Sequence, residues 1–122
     1  MKMLIRLAFA FAIAGMIGSA AAAGQPGREI YERHCRTCHG GTAPPDSPLG
    51  PSLVGIIGKK AGTQDSGVHS RAVIDSGMVW TRDSLRRFLA EPSRAIPGTL
   101  MAASITNPTE LESLLEYLES LR

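Results

Sequence analysis

Aromatic residues are scarce in this sequence: they make up 5% of its 122 residues. No segment alternates apolar and polar side chains convincingly, so no β-strand is predicted. A chain this short buries a small core. With few large side chains, it often needs a covalent cross-link or a bound apolar cofactor to fold stably. We therefore expect a bound group or a covalent link to complete the core.

Net charge is also missing from most of the chain. The formal charge of +2 is carried by Lys2 and Arg6, so the residues after position 23 are neutral overall. A neutral domain lacks the basic surface that nucleic-acid binding requires. No nucleic-acid partner is therefore predicted.

The N-terminus is typical of a secretory signal peptide. Two cationic residues precede an apolar run from Leu7 to Ile17, and the small residues "SAAAAG" follow. The apolar run is too short to favour a membrane-spanning helix. We predict cleavage between Ala23 and Gly24, which makes residues 1–23 the signal peptide and residues 24–122 one exported, periplasmic domain. The alternative is an uncleaved N-terminal anchor.

The rest of the chain carries helical signals separated by loops. Helices are predicted at residues 26–37, 70–75 and 82–90, the last of these capped by Thr81. A final helix begins after Asn107, with Pro108 at its first position and Glu110 placed to complete a capping box. Residues 40–67 are rich in glycine and proline, and a loop this long must lie against something that supplies its packing. The predicted fold class is all-α with long loops.

Cysteine occurs twice, and both cysteines lie in "CRTCH". Cys35, Cys38 and His39 fit the C-x-x-C-H pattern of haem attachment, in which the cysteines form thioethers with the haem and the histidine binds the iron. A redox-active dithiol is less favoured, because thioredoxin-like proteins have a β-strand before such a motif and none is predicted here. A zinc site is also less favoured, because the sequence has no second pair of ligands at the usual spacing. One covalently bound haem c, with its iron, is the favoured cofactor.

Two methionines after position 23 are candidates for the second axial ligand of the iron. Met101 lies in "IPGTLM", where a Pro-Gly turn can present the thioether to a metal, whereas Met78 in "SGMVW" is interpreted as a core residue. A thioether ligand stabilises ferrous iron and occupies the last coordination position. Met101 is therefore predicted to favour electron transfer over chemistry at the metal.

Four stretches of the chain carry a family resemblance: "CRTCHGG", "LGPSLVGIIGKKAG", "GMVWTRDSLRRFLAEPSRAIPGTLM" and "LLEYL". Together they resemble the class I c-type cytochromes, the group of mitochondrial cytochrome c and bacterial cytochrome c2. The resemblance implies the cytochrome c fold, a small helical domain with long loops wrapped around one haem. It also implies that Gly27 and Tyr31 on the first helix meet Leu114 and Tyr117 on the last.

The resemblance implies roles for five further residues. The backbone carbonyl of Pro51 would accept a hydrogen bond from the histidine ligand and orient it. The indole of Trp80 would donate a hydrogen bond to a haem propionate. Three residues would lie near the propionates: Thr99, Lys59 and His69.

The sequence also departs from the family pattern. His69 stands where a propionate-binding tyrosine is usual, and it is equally interpreted as an exposed loop residue. Phe88 stands where a tyrosine is common, so a hydroxyl near the methionine sulfur is missing. The lysine ring around the haem edge is reduced to Lys59 and Lys60, so strong steering toward an acidic partner is not expected.

These observations predict a soluble, monomeric carrier of single electrons rather than an enzyme. Its partners would be periplasmic or membrane-bound redox proteins, and it would meet membranes only through partner complexes. The alternatives are a dedicated haem subunit of a periplasmic oxidoreductase complex and a haem enzyme or gas sensor with a labile sixth ligand. A thiol-disulfide oxidoreductase is the third alternative.

Overall fold

A computed structural model describes residues 25–41, 49–64 and 67–122. The predicted signal peptide lies outside the described residues, as does part of the glycine- and proline-rich segment. The described chain forms six helices: α1 (Pro26–His34), α2 (Arg36–His39), α3 (Arg71–Asp75), α4 (Arg82–Ala90), α5 (Pro92–Ala95) and α6 (Pro108–Ser120). In these ranges the β pairing is a single isolated bridge between Lys60 and Val79. The all-α prediction is confirmed.

The predicted first helix is divided at Cys35. Its backbone turns to φ −113° and ψ −40° there, so α1 ends at His34 and the short helix α2 follows. Hydrogen bonds continue across the break: Cys35 N–H donates to the Tyr31 carbonyl at 2.8 Å, and His39 N–H donates to the Cys35 carbonyl at 2.8 Å. The prediction of one helix over residues 26–37 is therefore wrong in its extent, because the Cys35 backbone departs from regular α-helical angles where the cysteine motif begins.

The crossing of α1 and α6 is the main helix–helix contact of the fold. Gly27 is buried there, and a Cβ added to it would lie 2.0 Å from the backbone oxygen of Ser113. The rings of Tyr31 and Tyr117 pack edge to face with centroids 5.5 Å apart. Leu114 is fully buried in the same core. The implied meeting of these two helices through a glycine is confirmed.

Caps define the ends of the longer helices. The Thr81 side chain accepts from Ser84 N–H while the Ser84 hydroxyl accepts from Thr81 N–H, which completes a capping box at the start of α4. Asn107 Oδ1 accepts from the N–H groups of Thr109 and Glu110 at the start of α6. The Glu110 carboxylate lies 3.2 Å from Arg33 across the helix crossing. Both predicted N-caps are thus present, and Ser70 caps α3 in the same way. The capping box predicted with Glu110 is not formed, because its carboxylate bonds Arg33 instead of the Asn107 N–H.

An ion-pair network joins α4 to α6. Arg82 contacts Glu119 at 2.6 Å and Glu112 at 2.8 Å, and Arg86 contacts Glu112 at 2.6 Å. The hydrogen bonds from the two arginines hold the pKa of Glu112 at about 2. These side chains are partly exposed, so the network contributes modestly to stability while it aligns the two helices.

The core lies between α1, α4, α6 and the loop that precedes α3. Within it Trp80 and Phe88 pack with ring centroids 5.0 Å apart. Leu53 and Ile56 are buried although they belong to the glycine-rich loop segment. The described part of that segment therefore packs on the core, as expected for a loop of this length. Among the described residues, no helix has the length and apolar character needed to cross a membrane.

Candidate haem site

A cavity of about 520 Å³ opens between the cysteine motif, the segment after residue 49, and the loop that follows α5. Apolar side chains form much of its wall: Leu53, Ile56, Val73, Trp80, Phe88 and Leu89. Its described lining contains no lysine and no arginine. A concave, mostly apolar space with a few polar groups is what a large, flat organic cofactor requires.

Both cysteines line this cavity. They are free thiols, with Cys35 buried and Cys38 exposed. Burial raises the pKa of the Cys35 thiol to about 11, with a smaller contribution from the neighbouring Cys38. The short helix α2 begins after Cys35 and places Cys38 about one turn later, so both residues border the same cavity. This arrangement suits two attachment points along one edge of a bound group.

His39 ends α2 and also faces the cavity. Its Nδ1 lies 2.8 Å from the backbone oxygen of Pro51. Desolvation lowers the pKa of His39 more than this hydrogen bond raises it. The neutral imidazole then donates through Nδ1–H to the carbonyl, which leaves the Nε2 lone pair free to bind a metal. The predicted contact between these two residues is present, while iron ligation by His39 stays a prediction.

The two candidate methionines are separated by the fold. Both pack against the core, but Met101 also lines the cavity, whereas Met78 is not part of the lining. The loop that presents Met101 turns at Gly98, with φ +88°, and Met101 N–H donates to Thr99 Oγ1 at 3.3 Å. The cavity therefore brings Met101 together with the histidine and both cysteines, 62 residues away from the nearest of them in sequence.

The remaining predicted site residues have different positions. Trp80 and Thr99 line the cavity, and so does His69. His69 is partly buried, and its Nε2 lies 2.9 Å from the backbone oxygen of Gln64. Lys59 is exposed and is not among the lining residues, although its backbone bonds that of Trp80. The roles of all four toward the propionates stay predictions.

Gln64 is a polar residue of the site that the sequence pattern did not indicate. It lines the cavity, it is 8% exposed, and its Nε2 is buried without a hydrogen-bond partner in the described chain. A glutamine in the polar, glycine-rich stretch "AGTQDSG" looks like a solvated loop residue, since no periodicity marks it as buried. An unpartnered amide at an apolar cavity fits a cofactor that brings its own hydrogen-bond acceptors.

The fold and this site together define a protein that holds a covalently attached haem. The model of the cytochrome c family matches residues 24–122, so the chain belongs to the cytochrome c family. It is a monohaem c-type cytochrome, an electron carrier with one covalently bound haem c.

Known relatives agree with this assignment. The chain is 38% identical over 89 residues to cytochrome c2 iso-2 of Magnetospirillum molischianum, covering 72% of this chain and 91% of that protein. It is 40% identical over 94 residues to cytochrome c2 of Agrobacterium tumefaciens, covering 74% of this chain and 85% of that protein. The solved structure of cytochrome cH from Methylobacterium extorquens superposes with a TM-score of 0.69 at 31% identity, covering 78% of this chain and 95% of that one.

Proposed function

We propose that this cytochrome carries single electrons in the periplasm between redox proteins, with iron held by His39 and Met101 and haem attached through Cys35 and Cys38. The observation that carries the proposal is that one apolar cavity collects all four of these side chains. The bound haem supplies a one-electron ferric–ferrous couple, and the chain supplies the ligands and the low-dielectric surroundings.

The histidine is prepared for its role by its neighbours. The Pro51 carbonyl selects the tautomer with the proton on Nδ1, and the buried position keeps the ring neutral. A Cβ added to Gly50 would lie 2.9 Å from His39 Nδ1, so the backbone packs directly against the ring. The imidazole is thus already oriented by the fold as a ligand would be, so binding iron would require little reorganisation of this side chain.

The methionine decides between electron transfer and chemistry at the metal. A thioether in the sixth position leaves no open site for oxygen or another small ligand. The cavity position of Met101, with Met78 away from the lining, supports ligation by this residue. We therefore propose a carrier without catalytic activity.

The thiols support haem attachment over dithiol exchange. A catalytic dithiol requires a thiolate of lowered pKa. Burial instead raises the pKa of Cys35 to about 11, so this thiol is a poor nucleophile for exchange with a disulfide. This observation disfavours a thiol-disulfide oxidoreductase.

The proposed location and partners rest on the N-terminus and on the charge of the chain. The cationic start, apolar run and small residues before position 24 support export to the periplasm with removal of residues 1–23. The residues after position 23 carry no net formal charge, so we propose redox partners that dock with little electrostatic steering. The carrier acts as a monomer in this proposal.

Absorption spectra of the exported, haem-loaded protein test the ligand assignment. The ferric wild type should show the sulfur-to-iron charge-transfer band, and the ferrous form should not bind carbon monoxide. Met101→Ala should abolish the band and open the iron to carbon monoxide. Met78→Ala is the matched control and should keep the wild-type spectrum. Carbon monoxide binding by the ferrous wild type would instead support a gas sensor or a haem enzyme.

A further inference from the structure

The amide of Gln64 is the one buried side-chain polar atom of the described chain that has no hydrogen-bond partner. Its residue lines the cavity beside His69 and Ser70. A buried donor without an acceptor destabilises the fold, because it loses its hydrogen bonds to water and gains none in return. Native proteins rarely retain such a group. The unpaired N–H groups of Gln64 therefore indicate an acceptor outside the described residues.

The backbone around Gln64 is held in place from both sides. His69 Nε2 lies 2.9 Å from the Gln64 carbonyl oxygen, so the imidazole can donate to it. The Thr63 hydroxyl donates to the Lys60 carbonyl at 2.6 Å just before it. Gly62 turns the chain with φ +80° and packs against Ile74 of α3. The amide is thus positioned by the fold rather than carried on a free loop.

The cofactor assigned to this cavity has few groups that can accept a hydrogen bond. The porphyrin is apolar over most of its surface, and its two carboxylates are its strong acceptors. A carboxylate enclosed in an apolar cavity is itself unfavourable unless donors surround it. The described cavity lining contains no lysine or arginine to supply them. Neutral donors must therefore stabilise whatever part of these carboxylates is buried.

We infer that the Gln64 side-chain amide donates a hydrogen bond to a carboxylate of the bound haem, with His69 acting on the Gln64 backbone to position it. This inference rests on the proposed haem site and assigns a further positioning residue to it. In this arrangement His69 reaches the carboxylate indirectly, by holding the loop that carries the donor. The direct hydrogen bond that His69 was expected to donate to the carboxylate is thus replaced by one from the Gln64 side chain.

A donor at this place affects the iron through the charge of the carboxylate. The hydrogen bond draws negative charge away from the haem and makes the ferric state less favoured. Its removal should lower the midpoint potential of the iron. A residue that only fills space in the wall would leave the potential unchanged when it is replaced by an apolar side chain of similar size.

The wild-type protein allows a direct test because the chain has two glutamines, Gln25 and Gln64. In the reduced, haem-loaded protein labelled with ¹⁵N-glutamine, the Gln64 side-chain N–H protons should exchange slowly with water and show nuclear Overhauser contacts to the haem propionate methylenes. Gln25 is exposed and is the internal control, with fast exchange and no such contacts. Absence of the propionate contacts from Gln64 would overturn the inference.

Substitution provides the second test. Gln64→Met and Gln64→Leu both remove the donor and replace it with an apolar side chain of similar size. Either variant should lower the midpoint potential of the haem iron and shift the carboxylate bending band in resonance Raman spectra. Gln25→Met is the matched control and should change neither. An unchanged potential and band in a haem-loaded Gln64 variant would refute the assignment. A wild type without covalent haem would refute the proposed function itself, which separates the two failures.

Discussion

Replacement of Gly27 by alanine should test the helix crossing on which the whole domain depends. An added Cβ would lie 2.0 Å from the Ser113 oxygen, 2.7 Å from the Tyr117 Cβ and 2.8 Å from the Ser113 carbonyl carbon. Backbone atoms cannot rotate away, so α1 and α6 must separate by roughly 1 Å or more to restore ordinary contact. That separation would loosen the contacts of the buried Tyr31 and Leu114.

The expected loss is large for a single methyl group. Overpacking of this kind lowers the free energy of unfolding by about 1–3 kcal/mol. The better helix propensity of alanine offsets at most ~1 kcal/mol of that loss. We expect a net destabilisation of about 1–2 kcal/mol, which corresponds to a fall in melting temperature on the order of 10 °C for a domain of this size.

Thermal unfolding of the haem-loaded protein, followed by far-ultraviolet circular dichroism, measures this loss. Arg28→Ala is the control because it changes the next residue of the same helix at an exposed position, and it should alter stability by less than ~0.5 kcal/mol. A Gly27→Ala variant as stable as this control would show that the two helices do not press against each other at this point, and the close-crossing argument would be wrong.

Three further predictions concern the ion-pair network, the loop backbone and a buried hydroxyl. Glu112→Gln should lower the melting temperature most above about pH 5 and least as the pH falls toward 2, because the pKa of this carboxyl is depressed to about 2 and its stabilisation is lost as protonation of the folded state sets in. Gly67→Ala should destabilise far more than Gly58→Ala: both have positive φ, but an added Cβ meets backbone oxygen at 1.9 Å in the first and nothing within 4 Å in the second. Tyr31→Phe should lose about 1–3 kcal/mol, because it removes the donor to the buried Gly40 carbonyl at 2.8 Å.

Each of these has a clear contrary result. A difference between Glu112→Gln and the wild type that does not change with pH would show that the carboxylate charge is not what stabilises the network. Equal melting temperatures for the two glycine variants would mean that the backbone near Gly67 can move without loss. A Tyr31→Phe variant as stable as the wild type would mean that water replaces the lost donor.

The chemistry of the site was largely predictable from short motifs. Cys35, Cys38 and His39 lie within five consecutive residues, and their pattern predicts haem attachment without knowledge of the fold. The caps of α4 and α6 were also predictable, because Thr81 and Asn107 act on backbone groups two or three residues away. These features depend on local geometry, which the local sequence determines.

Other features could not be predicted from local pattern. The break at Cys35 interrupts a stretch whose residues are compatible with a continuous helix, and α5 begins at Pro92, where no helix was predicted. The choice between Met78 and Met101 rested on a turn motif until the fold placed Met101 in the cavity wall and left Met78 out of it. Burial of Gln64 has no sequence signal at all.

The sequence by itself determined the kind of cofactor, the class of fold and the ends of the capped helices, since each depends on residues within about one helical turn of one another. The tertiary structure alone decided how distant residues meet: Met101 with the cysteine motif, Gly27 with Ser113, and Gln64 with the cavity. Those contacts arise from packing of the whole chain around one space, and burial in that space changes what each group does. The amide of Gln64 is an ordinary polar loop residue in the sequence, and it becomes a binding group because the fold removes it from water.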